Sequence, residues 1–251
     1  MHGTEIPRVT ALDRLLQAAP AWSACSSNGQ GQATIALAVP RAGGTISREY
    51  HLVVTANGSY VSVKEAPDAQ HLPTSCPDRH INPDGTFCLG LRAGYLVEDD
   101  KTAGQWWDKL HVFLNCQETA AETRAWPDYA QLSHGEEAAE LQLVAEDLAR
   151  EFDLLEEYKV AMWDREGVIA FVAERVDLNT MRPRNGRAAC VCGRPDKRGR
   201  PLLRRQCWKM GLKCLPILER QRQEAIKDFW TARGNAPCCG TMDGCPPLRA
   251  K

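Results

Sequence analysis

Apolar residues first recur at helical spacing: Ile6, Val9, Leu12, Leu15 and Leu16 share one face and predict an amphipathic helix over residues 4–19. The period then shortens. ATIALAVP (33–40), EYHLVVT (49–55) and YVSVKE (60–65) are strand-like, and the Asn-Gly of ANGS between the last two suits a tight hairpin turn, so an antiparallel meander is expected. From Ala66 to Gly94 no period survives among the Pro, Asp, Gly and Cys residues. This is a long structured loop, and loops of that length in compact domains usually serve function. Helical spacing returns in AGQWWDKLHVFLN (103–115), where Trp106, Leu110, Phe113 and Leu114 share a face. One of Trp106 and Trp107 packs this helix on the sheet; for the other, core packing is favoured over an exposed surface that meets a partner. A longer helix is expected over 135–163, with Leu141, Val144, Leu148, Phe152 and Leu155 inward and an acidic outer face. GVIAFVAERV (167–176) reads as one last strand, NTMRPRNGRAA as a linker, and no internal repeat is seen.

Composition adds a division to this order. The 251 residues carry a net charge of −1, but residues 1–180 hold 14 Lys and Arg against 27 Asp and Glu, whereas 181–251 hold 17 against 5, giving −13 and +12. Two modules of opposite charge are expected. Four cysteines (Cys25, Cys76, Cys88, Cys116) are spread over the first part, and seven crowd between 190 and 245. A hydrophobic fraction of 43% supports a real core, and no apolar run approaches the roughly 20 residues of a membrane helix. The N-terminal stretch lacks the basic-then-apolar order of a secretory signal, so a cytoplasmic address is expected and the cysteines read as thiols or metal ligands rather than disulfides.

The chemistry concentrates in HINPDGTFCLG (80–90). A catalytic cysteine needs access, a proton acceptor or cation nearby, and donors for a developing oxyanion. His80 and Asn82 stand close in sequence, NPDG folds as a turn that returns the chain to Thr86, Phe87 and Cys88, and Leu89 and Leu91 anchor the segment. The competing reading makes Cys88 a small buried hydrophobe and His80 a hydrogen-bonding loop residue.

The order helix, antiparallel meander, long loop, H-x-N…G-x-x-C-L and Trp-bearing helix resembles the ubiquitin-conjugating enzyme (E2) fold, α+β in class, over residues 1 to 158. GTFCL (85–89) matches that family's G-x-x-C-L, and HIN (80–82) its His-Pro-Asn with Ile81 in place of proline. The compact RHINPDGTFCLG form is similar to bacterial E2-like proteins, which accompany an E1-like adenylating enzyme and a ubiquitin-like modifier, often in antiphage defence. The resemblance implies that Cys88 takes the modifier as a thioester, that Asn82 stabilises the oxyanion, and that His80 shapes the loop rather than acting as base. No acceptor-activating base is identified; Asp99, Asp100 and Asp108 read as a solvated acidic loop.

Residues 159–251 then form a basic, cysteine-rich module. Cys190, Cys192, Cys207, Cys214, Cys238, Cys239 and Cys245 are candidate ligands for structural zinc, which needs about four soft donors in a tetrahedron. Reduced thiols are the alternative, and disulfides formed after purification a third reading. The Arg- and Lys-rich runs would neutralise phosphates, but with only Trp208 and Trp230 interleaved, nucleic acid is disfavoured against an acidic partner or the charge of zinc-bound thiolates. His111 and His134 are assigned no chemistry. The expected activity is E2-like conjugation. A noncatalytic E2-variant scaffold paired with a second E2-like subunit, and a zinc-dependent nucleic-acid binder, are the alternatives.

Overall fold

The computed structural model describes residues 9–90, 96–206, 214–234, 237–243 and 245. Their backbone forms two compact units, residues 1–131 with 235–251, and residues 132–234.

The first unit opens with α1 (Ala11–Gln17). Thr10 caps it in a reciprocal box with Asp13, satisfying amides that the first turn leaves free. The helix is therefore shorter than its apolar spacing suggested; Val9 stands exposed and Ile6 lies outside the described residues. Four antiparallel strands follow in order β1 (Ser23–Gly29), β2 (Gln32–Leu37), β3 (Tyr50–Asn57) and β4 (Tyr60–Glu65). Alternate positions point inward: Ala33, Ile35 and Leu37 on β2, Tyr50, Leu52 and Val54 on β3, Val61 and Val63 on β4. β1, the sequence SACSSNG, is an edge strand whose residues are all exposed or half-buried. Its pairing with β2 places it, not any apolar alternation of its own.

α2 (Asp100–Thr123) crosses under this sheet, longer at both ends than the spacing predicted. Asp99 caps it by accepting from the Thr102 amide at 2.7 Å, and that bond, with the Thr102 hydroxyl, holds the Asp99 carboxyl below its ordinary pKa. Replacing Asp99 with alanine should lower the stability of this unit, read as a downward shift in thermal midpoint. Both Trp106 and Trp107 are buried, with Trp107 Nε1 donating to the Leu15 carbonyl at 2.9 Å, so neither presents a surface to a partner. The far half of α2 buries polar side chains that are all paired: Glu118 accepts from Arg48 at 2.8 Å and from the Tyr50 hydroxyl. Burial, then that bond, keeps the Tyr50 phenol protonated.

The second unit is helical. The run 135–163 is two helices, α3 (Glu136–Glu151) and α4 (Leu155–Trp163), rather than one. Asp153 takes a left-handed conformation with φ of 57°, and the Leu154 amide closes on the Ala149 carbonyl at 2.8 Å. The break folds α4 back so that Tyr158, Ala161 and Met162 join Ala145, Leu148 and Ala149 in one core. Val144 is exposed and Gln142 buried, so the inward face of α3 is the one carrying Ala138, Ala139, Gln142 and Ala145. Its small residues admit the long closing helix α6 (Leu215–Arg233). Just before α3, Gly135 sits at φ of 93°, where an added Cβ would meet Phe229 at 3.3 Å.

The last predicted strand is instead a helix, α5 (Gly167–Ala173), followed by a two-residue pairing of β5 (Val176–Asp177) with β6 (Arg182–Pro183). A short apolar run has no period that separates the two states, and burial of Ile169, Ala170, Val172 and Ala173 decides for helix.

Candidate functional site

The stretch before Cys88 lies along the edge of β4. Phe87 donates its amide to the Val63 carbonyl at 2.8 Å, and Thr86 bridges to Lys64, so residues 86–88 cover that edge as a short added strand. Ile81 bridges Phe87 on one side and Cys76 on the other. Cys88 donates its amide to the His80 carbonyl at 2.8 Å, which fixes the thiol-bearing backbone from the opposite side. The Cys88 side chain is half-exposed between buried Phe87 and Leu89. A cysteine held by its backbone and left partly accessible meets the access requirement for thiol chemistry.

NPDG folds as a turn closed by Gly85 N–H to the Asn82 carbonyl at 3.0 Å, with Gly85 at φ of 81°. Asn82 receives no free role here: its side-chain amide donates to Thr86 Oγ1 at 3.0 Å, and its backbone amide to the Thr86 carbonyl at 2.8 Å. Asp84 accepts from both the Thr86 hydroxyl, at 2.7 Å, and the Thr86 amide. The hydroxyl contact lowers the Asp84 pKa, against a smaller opposing effect of burial. A cleft of 270 Å³ opens on this side, lined among others by Lys64, Leu72, Pro83, Asp84 and Phe87.

His80 is buried, at φ of 53° after the 3-10 turn Pro77–Arg79, and its ring packs on Trp126 with centroids 4.9 Å apart. Beside it stands a residue that no motif or spacing singles out. Arg79 is 3% exposed and is clamped to α2 by Gln117, which accepts from its Nε at 2.7 Å, offers its backbone carbonyl at 2.9 Å, and donates to the Arg79 carbonyl at 2.6 Å. Burial lowers the Arg79 pKa while the nearby thiols of Cys76 and Cys239 oppose that fall. Gln117→Leu strips this guanidinium of its Oε1 acceptor and the Arg79 carbonyl of its Nε2 donor, leaving only the backbone bond, and should destabilise the first unit by about 3 kcal/mol. Urea unfolding checks it, and a loss under about 1 kcal/mol would show that the clamp contributes little.

Downstream, Gly90 stands at φ of 129° with Lys109 Nζ 3.7 Å from the point a Cβ there would occupy. Burial lowers the pKa of this lysine, which lies near Gly90, two residues after Cys88, and which helical periodicity alone did not single out. Asp100 pairs with Arg14 at 3.2 Å and Asp99 is the α2 cap, so both have structural tasks. His111 Nε2 meets the Pro40 carbonyl at 2.8 Å.

The cysteines of the basic tail separate into two groups. Cys190 and Cys192 belong to the second unit, with their sulfurs 3.2 Å apart, and Cys214 begins α6. Hydrogen bonding to Cys190 and burial raise the Cys192 thiol, and burial raises Cys214. Cys207 lies outside the described residues. Cys238, Cys239 and Cys245 belong to the first unit, where Cys239 donates its thiol hydrogen to Cys76 at 3.0 Å. Burial raises the Cys76 thiol, whereas at Cys239 burial is outweighed by the contacts with Cys76 and Thr241, which bring it below its ordinary value. Among the described residues no three His, Cys, Asp or Glu side chains converge as a finished ligand set; the thiols meet in pairs. No described helix is long and apolar enough to cross a membrane.

An antiparallel sheet backed by one long helix, with a half-exposed cysteine on a segment that covers its edge, defines an E2-like protein. Residues 22–128 match the family model of the prokaryotic E2 domain, and residues 133–247 match that of the cysteine-rich domain found C-terminal to E2 domains. The chain thus carries a prokaryotic E2 domain followed by its cysteine-rich companion. No curated protein and no solved structure matches the chain.

Proposed function

We propose that the protein is a conjugating transferase that accepts the C-terminal acyl group of a ubiquitin-like modifier on Cys88 and passes it to a target. The observation that carries this reading is the half-exposed Cys88 thiol, held at a fixed place by the Cys88–His80 and Phe87–Val63 backbone bonds inside a prokaryotic E2 domain. In the first step the Cys88 thiolate attacks the E1-bound thioester carbonyl; the new C–S bond forms as the E1 sulfur leaves as thiolate. In the second, an amine or hydroxyl of the target attacks the Cys88 thioester and the Cys88 sulfur is released.

His80 acts on loop shape, since its ring is committed to Trp126 and its carbonyl to the Cys88 amide. Asn82 supports the turn through Thr86 and offers oxyanion stabilisation only on exchanging that partner. The setting is a cytoplasmic, bacterial conjugation pathway of the antiphage kind, with an E1-like enzyme and a ubiquitin-like protein as partners. Structural zinc on the tail cysteines belongs to the same reading, with the cysteine-rich domain recruiting a partner or target.

The test is a charging reaction containing the protein, its cognate ubiquitin-like protein, the E1-like enzyme and ATP, resolved without reductant. A thiol-sensitive adduct on this chain supports the transferase. If the adduct forms only on another E2-like subunit, the noncatalytic scaffold reading replaces it.

A further inference from the structure

The C-terminal strap, residues 237–243 with 245, lies in the first unit and brings three cysteines against the loop that leads into the candidate acyl site. It is anchored from α2's end: Arg124 Nε contacts Asp243 at 2.7 Å, Arg124 Nη2 donates to the Gly240 carbonyl at 3.0 Å, and the Asp243 amide donates to the Arg124 carbonyl at 2.8 Å. Gly240, at φ of 72°, bends the strap. Adjacent residues of an extended segment point to opposite sides, yet Cys238 and Cys239 both pack on the same core, and Cys245 is 1% exposed within it.

Opposite them stands Cys76, also 1% exposed, its backbone fixed by the paired hydrogen bonds with Ile81. Its sulfur is 3.0 Å from that of Cys239, across 163 residues of chain. Cys245 is hydrogen-bonded with Asp78 and Cys238, so the remaining two strap thiols form the second pair. The Gly240 amide donates to Cys238 Sγ at 3.4 Å, the kind of outer-shell N–H···S bond that orients a thiolate ligand. The nearby Arg79 cation offsets the negative charge that such thiolates carry.

We infer that Cys76 joins Cys238, Cys239 and Cys245 as a four-thiolate zinc site that staples the C-terminal strap to the loop preceding Cys88. Four sulfur donors select zinc over magnesium or calcium, whose ligands are oxygens. Zn–S bonds of about 2.3 Å set a tetrahedral S···S edge of roughly 3.8 Å, so the Cys76–Cys239 pair opens by less than an ångström while the two pairs draw onto one ion. The thiol protons leave to solvent as the ion binds. This ligand set draws one residue from the E2 domain and three from the tail, and it is distinct from Cys190, Cys192 and Cys214 in the second unit. It does not depend on acyl transfer at Cys88.

The full chain, purified with reductant, is assayed for zinc by elemental analysis as wild type, Cys76→Ser, Cys239→Ser and Cys25→Ser. The two cluster variants are expected to hold one zinc fewer per chain than wild type and Cys25→Ser. Cys239, half-buried on the strap, keeps the test open if Cys76→Ser fails to fold. Cobalt substitution supplies a second readout: the thiolate-to-cobalt charge-transfer band should weaken in Cys239→Ser, and Cys239→His should retain the ion with displaced d–d bands. Unchanged zinc content in both serine variants, zinc-free wild type, or a Cys76–Cys239 disulfide found by peptide mapping in its place would overturn the site.

Discussion

Cys88→Ala is expected to abolish the modifier adduct, and Cys88→Ser to convert a thiol-sensitive adduct into one that survives reductant. The alanine variant leaves no heteroatom to attack the E1-bound carbonyl, so no bond to the modifier forms at this position. Serine keeps an oxygen at nearly the same place, and the oxygen ester it forms resists thiol exchange while remaining cleavable by hydroxide. The two substitutions together separate acceptor from bystander. Because the segment is held by the Cys88 and Phe87 amides rather than by the sulfur, neither change should disturb the fold, and thermal midpoints close to wild type are expected for both. Loss of charging with an intact fold places the chemistry at the sulfur; adduct unchanged in Cys88→Ala places it elsewhere.

Arg222→Met should destabilise the helical second unit by about 3–5 kcal/mol, a large fraction of the roughly 5–15 kcal/mol that holds a domain folded. Arg222 and Glu219 are 3% and 0% exposed and meet at 2.8 Å on one turn of α6. Around them the network closes: Arg222 also donates to Ser133 Oγ at 2.8 Å and to the Met162 carbonyl at 3.1 Å, Glu219 accepts from Tyr158 at 3.2 Å and from Gln223 at 2.8 Å, and Ser133 is in turn bonded to Gln142. Burial and the Glu219 carboxylate keep the Tyr158 phenol protonated. Removing the cation alone leaves Glu219 charged in a medium that cannot solvate it. The double variant Arg222→Met/Glu219→Leu should recover much of the loss, since an apolar pair of similar volume costs far less than an orphaned carboxylate. Urea unfolding of the full chain measures all three; a single-variant loss below about 1 kcal/mol would mean that water or a local rearrangement reaches Glu219.

The network spans four stretches of the second unit, which explains why α3 turns a glutamine inward. Gln142 bonds Ser133 on one side and Glu146 at 2.8 Å on the other, so a polar residue is fully satisfied where the spacing suggested Val144. An apolar count along one helix has no access to that exchange. The same limit applies to Arg79 and Gln117, which are 38 positions apart and become meaningful only as a buried pair beside His80.

Features whose cause is local were legible along the chain. Period-two alternation located β2, β3 and β4 because each inward side chain is paid back by the same core. NPDG and GTFCL were legible because a turn and the short segment after it are governed by residues within a few positions. The seven tail cysteines and the opposed charges of the two parts were legible because they are counts. Tertiary structure alone decided β1, a polar strand that exists by pairing, and the break at Asp153, which lets α3 and α4 share one core. It also decided that GVIAFVA is a helix, and that Cys76 faces Cys239. In each of these the deciding partner is distant in the chain, and the free energy that fixes the conformation comes from burial and hydrogen bonds that no local window contains.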